Sequence, residues 1–305
     1  MKLRDYLAIA LLIIVAVGGR IHTDGSESPE KPRRPDPRQI DRPDVGRPPA
    51  ETVHSPGREL PRESRNDPRF VIQIDATKEN SVGTAFSIDP SGIWVTARHV
   101  TNGCDLVGLQ KTNGRLVRVS TVEERPSADI SILHTRGGSR AMRIIHPKLQ
   151  IGADGYSFGY PRGEPGDVYG RVIGRARMLA RGRYRSEEPV VAWTQVRRIP
   201  DKGADLSGIS GGPWVNAKGE VIGVHVAGSP RRGRSYSTAP RTLIEAARSA
   251  NVRTFGLIND TATNGQLTPT RFDRYGNRLR RDLVVAKVVC LMGEKWRRQA
   301  AQQRS

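Results

Sequence analysis

Gly208-Ile209-Ser210-Gly211-Gly212-Pro213 places a serine between glycines and ends on a proline. Glycine adopts backbone conformations closed to other residues, so this stretch permits a tight turn that exposes the serine hydroxyl. A glycine-rich β-turn with an incidental serine has the same composition. The stretch alone therefore leaves both interpretations open, and its sequence context has to separate them.

Two further short motifs precede Ser210 in the chain. His99 follows a strand-like run, and Asp129 precedes a run that alternates between apolar and small residues. Acyl transfer to water needs a nucleophile, a base, a group that orients the base, and donors for the oxyanion. Ser210, His99 and Asp129 are the candidates for the first three roles, and the N–H groups of Gly208 and Ser210 are the candidate oxyanion hole. The alternatives are a polar histidine at a strand end and a turn aspartate.

Short runs rich in Val, Ile and Thr follow one another from residue 70, separated by Gly, Pro, Asn and Asp. Many short strands with few helical stretches are typical of all-β sandwiches and barrels. Ala239-Pro240 begins one clear helix after the last run. The runs form two sets that fit a pair of packed barrels. The predicted strands are 70–75, 83–88, 93–96, 106–110, 116–122 and 130–133, then 155–158, 168–173, 175–179, 190–195, 213–216, 221–226 and 236–237.

Five of these runs together resemble the trypsin-like, chymotrypsin-fold serine peptidases in their bacterial branch. They are 83–88, 96–100, 129–133, 208–213 and 221–225. The order His99, Asp129, Ser210 is that of the chymotrypsin-type triad. The resemblance covers roughly residues 70–258 and implies an all-β double barrel, with the site in the cleft between the barrels and a C-terminal helix at the end. It also implies serine endopeptidase activity.

The chain departs from the family pattern at Ile209, where the family usually has Asp or Asn. Isoleucine cannot bind a freed N-terminal amine, so activation of the zymogen type is not expected. The oxyanion loop also lacks its usual polar brace, and a floppy or substrate-ordered loop is expected. The residues after 258 are too few for a peptide-binding PDZ domain, unlike in the full HtrA-type proteases.

Three residues are candidates for the substrate pocket. The family rule for Arg or Lys preference places an Asp six residues before the nucleophile, where this chain has Ala204, with Asp205 next to it. His225 resembles the Gly-x-His of glutamyl endopeptidases, in which a protonated imidazole pairs with a substrate carboxylate. The alternative is a histidine packed in the pocket wall. Preference for Glu, for Arg or Lys, or for small residues therefore stays open.

The N-terminal 23 residues begin with a basic stretch and continue with an uncharged apolar run through residues 6–19. That run is shorter than a membrane span, so a signal peptide is expected, or a short membrane anchor if it is not cleaved. Residues 24–68 contain ten prolines and few large apolar residues. They predict a disordered linker, or a propeptide. Both interpretations place the rest of the chain outside the cytoplasm.

The basic C-terminal tail, residues 259–305, mixes apolar residues with Arg and Lys. An amphipathic helix on a membrane or on an acidic polymer is one interpretation, and docking onto the protease domain is the other. Cys104 and Cys290 lie too far apart in sequence for a close-spaced metal cluster. A disulfide and two buried thiols are equally compatible with them, and no metal or cofactor is expected.

The formal net charge of +19 attracts acidic partners or simply reflects an arginine-rich solvated surface. The second explanation is preferred, so nucleic acid is not an expected partner. The expected function is an exported or membrane-tethered serine endopeptidase acting on protein or peptide substrates. The alternative is a catalytically weak binding module on a protease fold that uses its basic surface. The sequence does not give the oligomeric state.

Overall fold

The computed structural model describes residues 57–201, 205–229, 232–252 and 267–296. The N-terminal segment 1–23 lies outside the described residues, as do most of the linker, Ala204 and both ends of the tail. Among the helices of these four ranges, none has both the length and the apolar character needed to cross a bilayer.

Strands dominate the described part of the chain, and the predicted all-β class is confirmed. The strands are β1 Arg69–Ile74, β2 Ser81–Asp89, β3 Ile93–Thr96, β4 Leu106–Gln110, β5 Leu116–Glu124, β6 Ser131–Thr135, β7 Asp154–Gly159, β8 Gly166–Gly182, β9 Ser186–Ile199, β10 Pro213–Val215, β11 Val221–Ser229, β12 Arg234–Thr238 and β13 Val285–Leu291. The helices are α1 Arg98–Thr101, α2 Pro240–Ser249 and α3 Phe272–Arg281, with a 3-10 turn at Pro161–Gly163. Two of the predicted strands merge into the long β8.

The first barrel closes in the strand order β13-β2-β3-β6-β5-β4. Phe86 on β2 pairs with Val95 on β3 and with Val285 on β13, and Val95 pairs with Ile132 on β6. Paired residues on neighbouring strands point to the same face of the sheet. All four side chains are fully buried and lie in one apolar cluster with Tyr156 and Phe158 of β7, so this face of the first barrel packs against the second barrel.

The second barrel contains β8-β7-β10-β11-β12-β9, and the additional β8–β9 pairing closes the ring. Trp193 and Trp214 stack inside it with ring centroids 4.2 Å apart, and both are fully buried. Gly155 makes room for this pair, because a Cβ at that position would lie 2.3 Å from the Trp193 ring. The predicted pair of barrels is therefore confirmed.

The strands at the two ends of the described chain differ from the prediction. Strand β1 was expected in the first set, but it pairs in parallel with the far end of β8 on the second barrel. Strand β13 fills the gap between β2 and β4, although the predicted domain ended at residue 258. The reason is burial: Val285, Ala286, Val288 and Cys290 of β13 are buried, whereas Val71 of β1 is 54% exposed. Cys104 and Cys290 form a disulfide that ties β13 to the end of α1.

Helix α3 docks on the second barrel with its apolar side. Phe272 and Tyr275 are buried, and the Tyr275 ring packs edge-on against Phe158 at 5.3 Å. Arg280 forms a buried ion pair with Asp167 on β8 at 2.6 Å. This part of the tail therefore follows the docked interpretation and not that of a helix lying on a membrane. The predicted helix 240–250 is present as α2 and precedes α3.

Candidate active site

His99 lies at the rim of the first barrel. Strand β3 ends at Thr96, and the chain then turns at once into the single-turn helix α1. This turn leaves 24% of the His99 side chain exposed, and the residue lines the cleft between the barrels. The Lys78 ammonium donates to the His99 carbonyl at 3.0 Å, which ties the loop after β1 to this turn.

Asp129 lies in the loop before β6 and is fully buried. Its Oδ2 accepts from His99 Nδ1 at 2.6 Å, and its Oδ1 accepts from the His99 backbone N–H and from the Tyr184 hydroxyl, both at 2.8 Å. Burial alone would raise the pKa of this carboxyl, but the His99 and Tyr184 donors outweigh it and hold the pKa below its usual range. Asp129 is therefore a carboxylate that fixes the orientation of the His99 ring.

Ser210 lies in the loop between β9 and β10, and with His99 it lines a cleft of about 730 Å³. The loop depends on two glycines in the left-handed region: Gly208 has a φ of +98° and Gly211 a φ of +89°. A Cβ on Gly211 would lie 2.0 Å from the Thr84 carbonyl oxygen. A side chain at 211 would thus push the loop off the first barrel, which explains why glycine stands beside the serine.

Thr84 on β2 holds the Ser210 loop on both sides of the serine. Its backbone N–H donates to the Ser210 carbonyl, and its hydroxyl donates to the Gly208 carbonyl, both at 2.8 Å. The same hydroxyl accepts from the Tyr160 N–H at 3.1 Å. Because Thr84 is fully buried, these bonds fix the Ser210 loop against the barrel that carries His99 and Asp129.

The candidate oxyanion donors are the N–H groups of Gly208 and Ser210. Neither donates to another residue within the described ranges. The Ser207 carbonyl accepts from the Arg162 N–H. In a trans peptide the N–H points opposite to the carbonyl, so the Gly208 N–H points away from Arg162. This peptide orientation keeps the Ser207 carbonyl away from the place an oxyanion would take.

Ile209 gives the loop an apolar anchor, and the floppy or substrate-ordered loop stays a prediction. Its side chain is 1% exposed and lies in one cluster with Trp193, Trp214 and Val168 of the second barrel. Its N–H donates to the Leu206 carbonyl at 3.0 Å. Burial of an isoleucine restrains the loop as a polar brace would, because withdrawing it exposes apolar surface.

The backbone of His225 is hydrogen-bonded to the Ser210 loop, and the residue is only 1% exposed. Its carbonyl accepts from Gly211, and its N–H donates to Gly212, both at 2.8 Å. Burial, with a further contribution from the nearby His99, lowers the pKa of the His225 ring to about 3. The expected protonated imidazole is therefore not what this environment supports. The ring packs near-parallel to Trp214 at 6.0 Å, so the pocket-wall alternative describes the structure.

Asp205 lies at the start of the Ser210 loop and accepts hydrogen bonds from Ser207. Its Oδ1 accepts from the Ser207 backbone N–H at 2.8 Å and from the Ser207 hydroxyl at 2.6 Å. These two hydrogen bonds from Ser207 lower the pKa of the Asp205 carboxyl. Its carboxylate is thus engaged by the loop itself. Ala204, the other candidate from the Arg/Lys rule, lies outside the described residues.

Sequence reasoning did not single out four residues that contact this site: Thr84, Lys78, Tyr184 and Glu188. Tyr184 and Glu188 reach Asp129 from 55 and 59 positions away, so no local pattern announces them. The one available signal is the glutamate pair 187–188 at the start of an otherwise apolar run. Among the residues that the structure describes, no three His, Cys, Asp or Glu side chains come together as metal ligands.

Comparisons with known proteins find a trypsin-like family model and bacterial serine proteases. Residues 83–224 match the family model described as a trypsin-like peptidase domain. A Synechocystis sp. protein named as the serine protease HhoB is 30% identical over 152 residues, which are 49% of this chain and 35% of that protein. A DegP-like periplasmic serine endoprotease of Pseudomonas putida is 26% identical over 170 residues, or 55% of this chain and 33% of that protein. The chain spans 22% to 36% of the length of the curated relatives it matches.

Two solved structures illustrate the range of similar chains. The HtrA-type protease AlgW with decapeptide aligns with a TM-score of 0.46 and 21% identity, over 56% of this chain and 52% of that chain. The active form of the Rv3671c protease from M. tuberculosis aligns with a TM-score of 0.46 and 16% identity, over 65% of this chain and 96% of that chain.

Proposed function

We propose that this protein is a serine endopeptidase, because residues 83–224 match the family model described as a trypsin-like peptidase domain and a relative 30% identical over 152 residues is named as a serine protease. It hydrolyses peptide bonds through Ser210, His99 and Asp129 by way of an acyl-enzyme. The observation that carries the proposal is the 2.6 Å hydrogen bond from His99 to the buried Asp129, beside a cleft that Ser210 also lines. Separate polar residues at strand ends would not need this arrangement.

The proposed reaction begins with the tautomer of His99. Asp129 accepts a hydrogen bond from the Nδ1–H of His99. Nε2 of the neutral ring therefore carries no hydrogen and can take the proton of the Ser210 hydroxyl. Oγ then attacks the scissile carbonyl carbon, and the Asp129 carboxylate stabilises the imidazolium that forms. His99 passes the proton to the leaving amine. The acyl group stays on Ser210 until a water, activated by the same ring, releases it.

The N–H groups of Gly208 and Ser210 stabilise the oxyanion in this proposal. The orientation of the Ser207–Gly208 peptide and the two Thr84 hydrogen bonds support it, because they fix the loop before substrate arrives. Donors held in place in this way cost no reorganisation during the reaction, and one such donor typically accounts for about 10²–10³ in turnover. The buried Ile209 contributes to the same rigidity.

We further propose that the protein works outside the cytoplasm, either released or tethered by residues 6–19. The apolar N-terminal run supports this, and so does the Cys104–Cys290 disulfide, because such bonds persist in oxidising compartments. One of the relatives is named as periplasmic. Fractionation of the full-length protein separates the alternatives: an uncleaved chain in the membrane pellet means a tether, and a shortened soluble chain means a signal peptide.

A catalytically weak binding module remains the competing function, and it would need a free basic surface. Two β8 arginines are instead paired with acids: Arg171 with Asp154 at 3.2 Å and Arg177 with Glu187 at 2.6 Å. The surface on that strand is therefore partly neutralised. Strong, salt-sensitive binding to an acidic polymer without reaction at Ser210 would favour this alternative.

Labelling with a fluorophosphonate probe tests the proposed function directly. The wild-type protein is expected to be labelled at Ser210, and Ser210→Ala is expected to lose labelling and to lower peptide hydrolysis by several orders of magnitude. The melting temperature of Ser210→Ala should match wild type, because the substitution removes one hydroxyl. Ser207→Ala is the matched control on the same loop and should still label. Equal labelling of wild type and Ser210→Ala would exclude Ser210 as the nucleophile.

A further inference from the structure

The buried Asp129 is held by residues from both barrels. Of its donors, His99 belongs to the first barrel, but the Tyr184 hydroxyl comes from the turn between β8 and β9 of the second barrel. Tyr184 is 7% exposed. The oxygen it contacts, Oδ1, is the one that does not face the His99 ring. This hydroxyl therefore touches the carboxylate on the side away from the reacting ring.

Glu188 makes a second contact from the same hairpin. Its Oε1 accepts from the Asp129 backbone N–H at 2.6 Å, and its side chain is buried to 1% exposure. Burial, with the negative charge of Asp129 next to it, raises the pKa of Glu188 to about 8. A protonated carboxyl beside Asp129 can accept the backbone N–H without adding a second buried negative charge. Backbone and side chain of Asp129 are thus both held by the hairpin.

The tip of the hairpin is fastened to the first barrel just after α1. Arg183 donates to the Asn102 side chain at 2.8 Å. It also donates to the Asp75 carbonyl at the end of β1, on the second barrel, at 2.7 Å. The Arg98 guanidinium lies 4.0 Å from the centroid of the Tyr184 ring, in cation–π geometry. Arg98 therefore covers one face of the Tyr184 ring, and the Tyr184 hydroxyl is held against Asp129 at 2.8 Å.

We propose that Tyr184 and Glu188 are positioning residues for the His99–Asp129 pair, contributed by the opposite barrel. The inference rests on the proposed function. Tyr184 fixes the plane of the Asp129 carboxylate and spreads its charge, and Glu188 fixes the backbone that carries it. A hairpin that left the first barrel would release both contacts together, so the orientation of His99 depends on barrel-to-barrel docking.

Tyr184→Phe tests the first contact because it keeps the ring, its packing and the Arg98 contact while removing the hydroxyl. We expect kcat to fall about 10-fold with KM within about twofold of wild type, since Tyr184 is not among the residues that line the cleft. Loss of the donor leaves more negative charge on Asp129, so the acidic limb of the kcat/KM profile should move to higher pH. The other titratable groups near His99, which are His225 and Lys78, stay unchanged in this variant.

Tyr169→Phe is the matched control. Like Tyr184→Phe, it removes the hydroxyl of a buried tyrosine. Tyr169 lies on β8, and its hydroxyl donates to Asp154 and not to the triad. The control should leave the pH profile at its wild-type position even if it lowers the melting temperature. Equal kinetics and equal pH profiles for the two variants would overturn the proposal for Tyr184.

Glu188→Gln and Glu188→Ala test the second contact as a pair. Glutamine keeps a neutral acceptor for the Asp129 N–H, and alanine removes it and leaves a cavity. We expect glutamine to restore most of the turnover that alanine loses. If the two variants lose activity equally while both stay folded by circular dichroism, Glu188 does not position Asp129.

A readout independent of activity separates this inference from the proposed function. In full-length chains that also carry Ser210→Ala, the NMR resonance of the His99 Nδ1–H reports its hydrogen bond to Asp129 without catalysis. Tyr184→Phe should shift that resonance, and Tyr169→Phe should not. If wild type is never labelled by the fluorophosphonate, the proposed function fails. If labelling succeeds but the His99 resonance is the same in Tyr184→Phe and in wild type, the positioning inference fails alone.

Discussion

Glu188 links the pH dependence of stability to a single side chain. Its ordinary pKa of 4.5 applies in the unfolded chain, whereas burial raises it to about 8 in the folded protein. Between these pH values the folded state binds more protons on this group than the unfolded state. The stability that Glu188 contributes is therefore fully present below pH 4.5 and is lost as pH rises from there towards 8. Above pH 8 it changes no further.

Glu188→Gln should remove this dependence, because glutamine stays neutral. We expect the variant to gain stability relative to wild type as pH rises from 5 to 8, with a limiting slope of about 1.4 kcal/mol per pH unit. Urea midpoints measured at pH 5, 6.5 and 8 check this. A difference between the two proteins that is independent of pH would contradict the raised pKa.

His225 sets an expectation for substrate preference. A ring whose pKa is lowered to about 3 is neutral at pH 7 and provides no cation for a substrate carboxylate. Cleavage profiling with a mixed peptide library should therefore show no enrichment of Glu before the cut at pH 7. His225→Gln, which keeps a neutral polar side chain, should leave the profile unchanged. Strong enrichment of Glu that the variant abolishes would refute this.

At the scale of single residues, sequence order predicts the pair that the structure joins. His99 and Asp129 could be predicted because each stands next to a strand of a recognisable pattern. Tyr184 could not, because it lies in an arginine-rich turn and acts through a contact across 55 positions. The sequence left both a protonated and a packed His225 open, since sequence gives residue type and not burial.

Among the structural elements, α3 is held by a buried ion pair in addition to its apolar contacts. Arg280 is 5% exposed and Asp167 is 3% exposed, and two hydrogen bonds of 2.6 and 3.0 Å join them. Burial raises the pKa of Asp167 to about 6 even with the arginine beside it. Removing the arginine alone would leave a buried carboxylate without its cation, which is among the costliest changes a core can suffer.

Arg280→Ala is expected to lower the free energy of unfolding by about 3–5 kcal/mol at pH 8. The loss should be smaller at pH 5, because Asp167 then takes up a proton and no charge stays buried. Arg281→Ala is the matched control: its side chain is exposed, and its effect should stay within about 0.5 kcal/mol. Equal urea midpoints for the two variants would show that the ion pair does not hold α3.

Strands were predicted better than their partners. Runs of apolar and β-branched residues place nearly every strand from β1 to β12, because the pattern is local. The pairing of β13 with β2 is not local, since Val285 meets Phe86 from the other end of the described chain. The same limit misplaced β1, whose sequence fits a strand but does not indicate which barrel it joins.

For the whole molecule, the first barrel depends on β13. A chain that ends at residue 258, the predicted domain boundary, lacks one of the six barrel strands and one cysteine of the disulfide. It would expose the edges of β2 and β4, which favour association with other chains. We expect this chain to be insoluble or unlabelled by the fluorophosphonate. A chain that ends at residue 296 should be soluble and labelled, as checked by gel filtration and probe labelling. A monomeric, reactive product from the shorter chain would refute the role of β13.

The place of β13 also bears on synthesis. Proteins made on the ribosome commonly fold from the N-terminus onward. Here the barrel that carries His99 and Asp129 includes β13, which is translated after the entire second barrel. Until residues 285–291 emerge, the nascent chain holds His99 and Asp129 in a barrel that lacks one of its six strands. On the proposed function, the order of translation therefore delays assembly of the site until the chain is nearly complete.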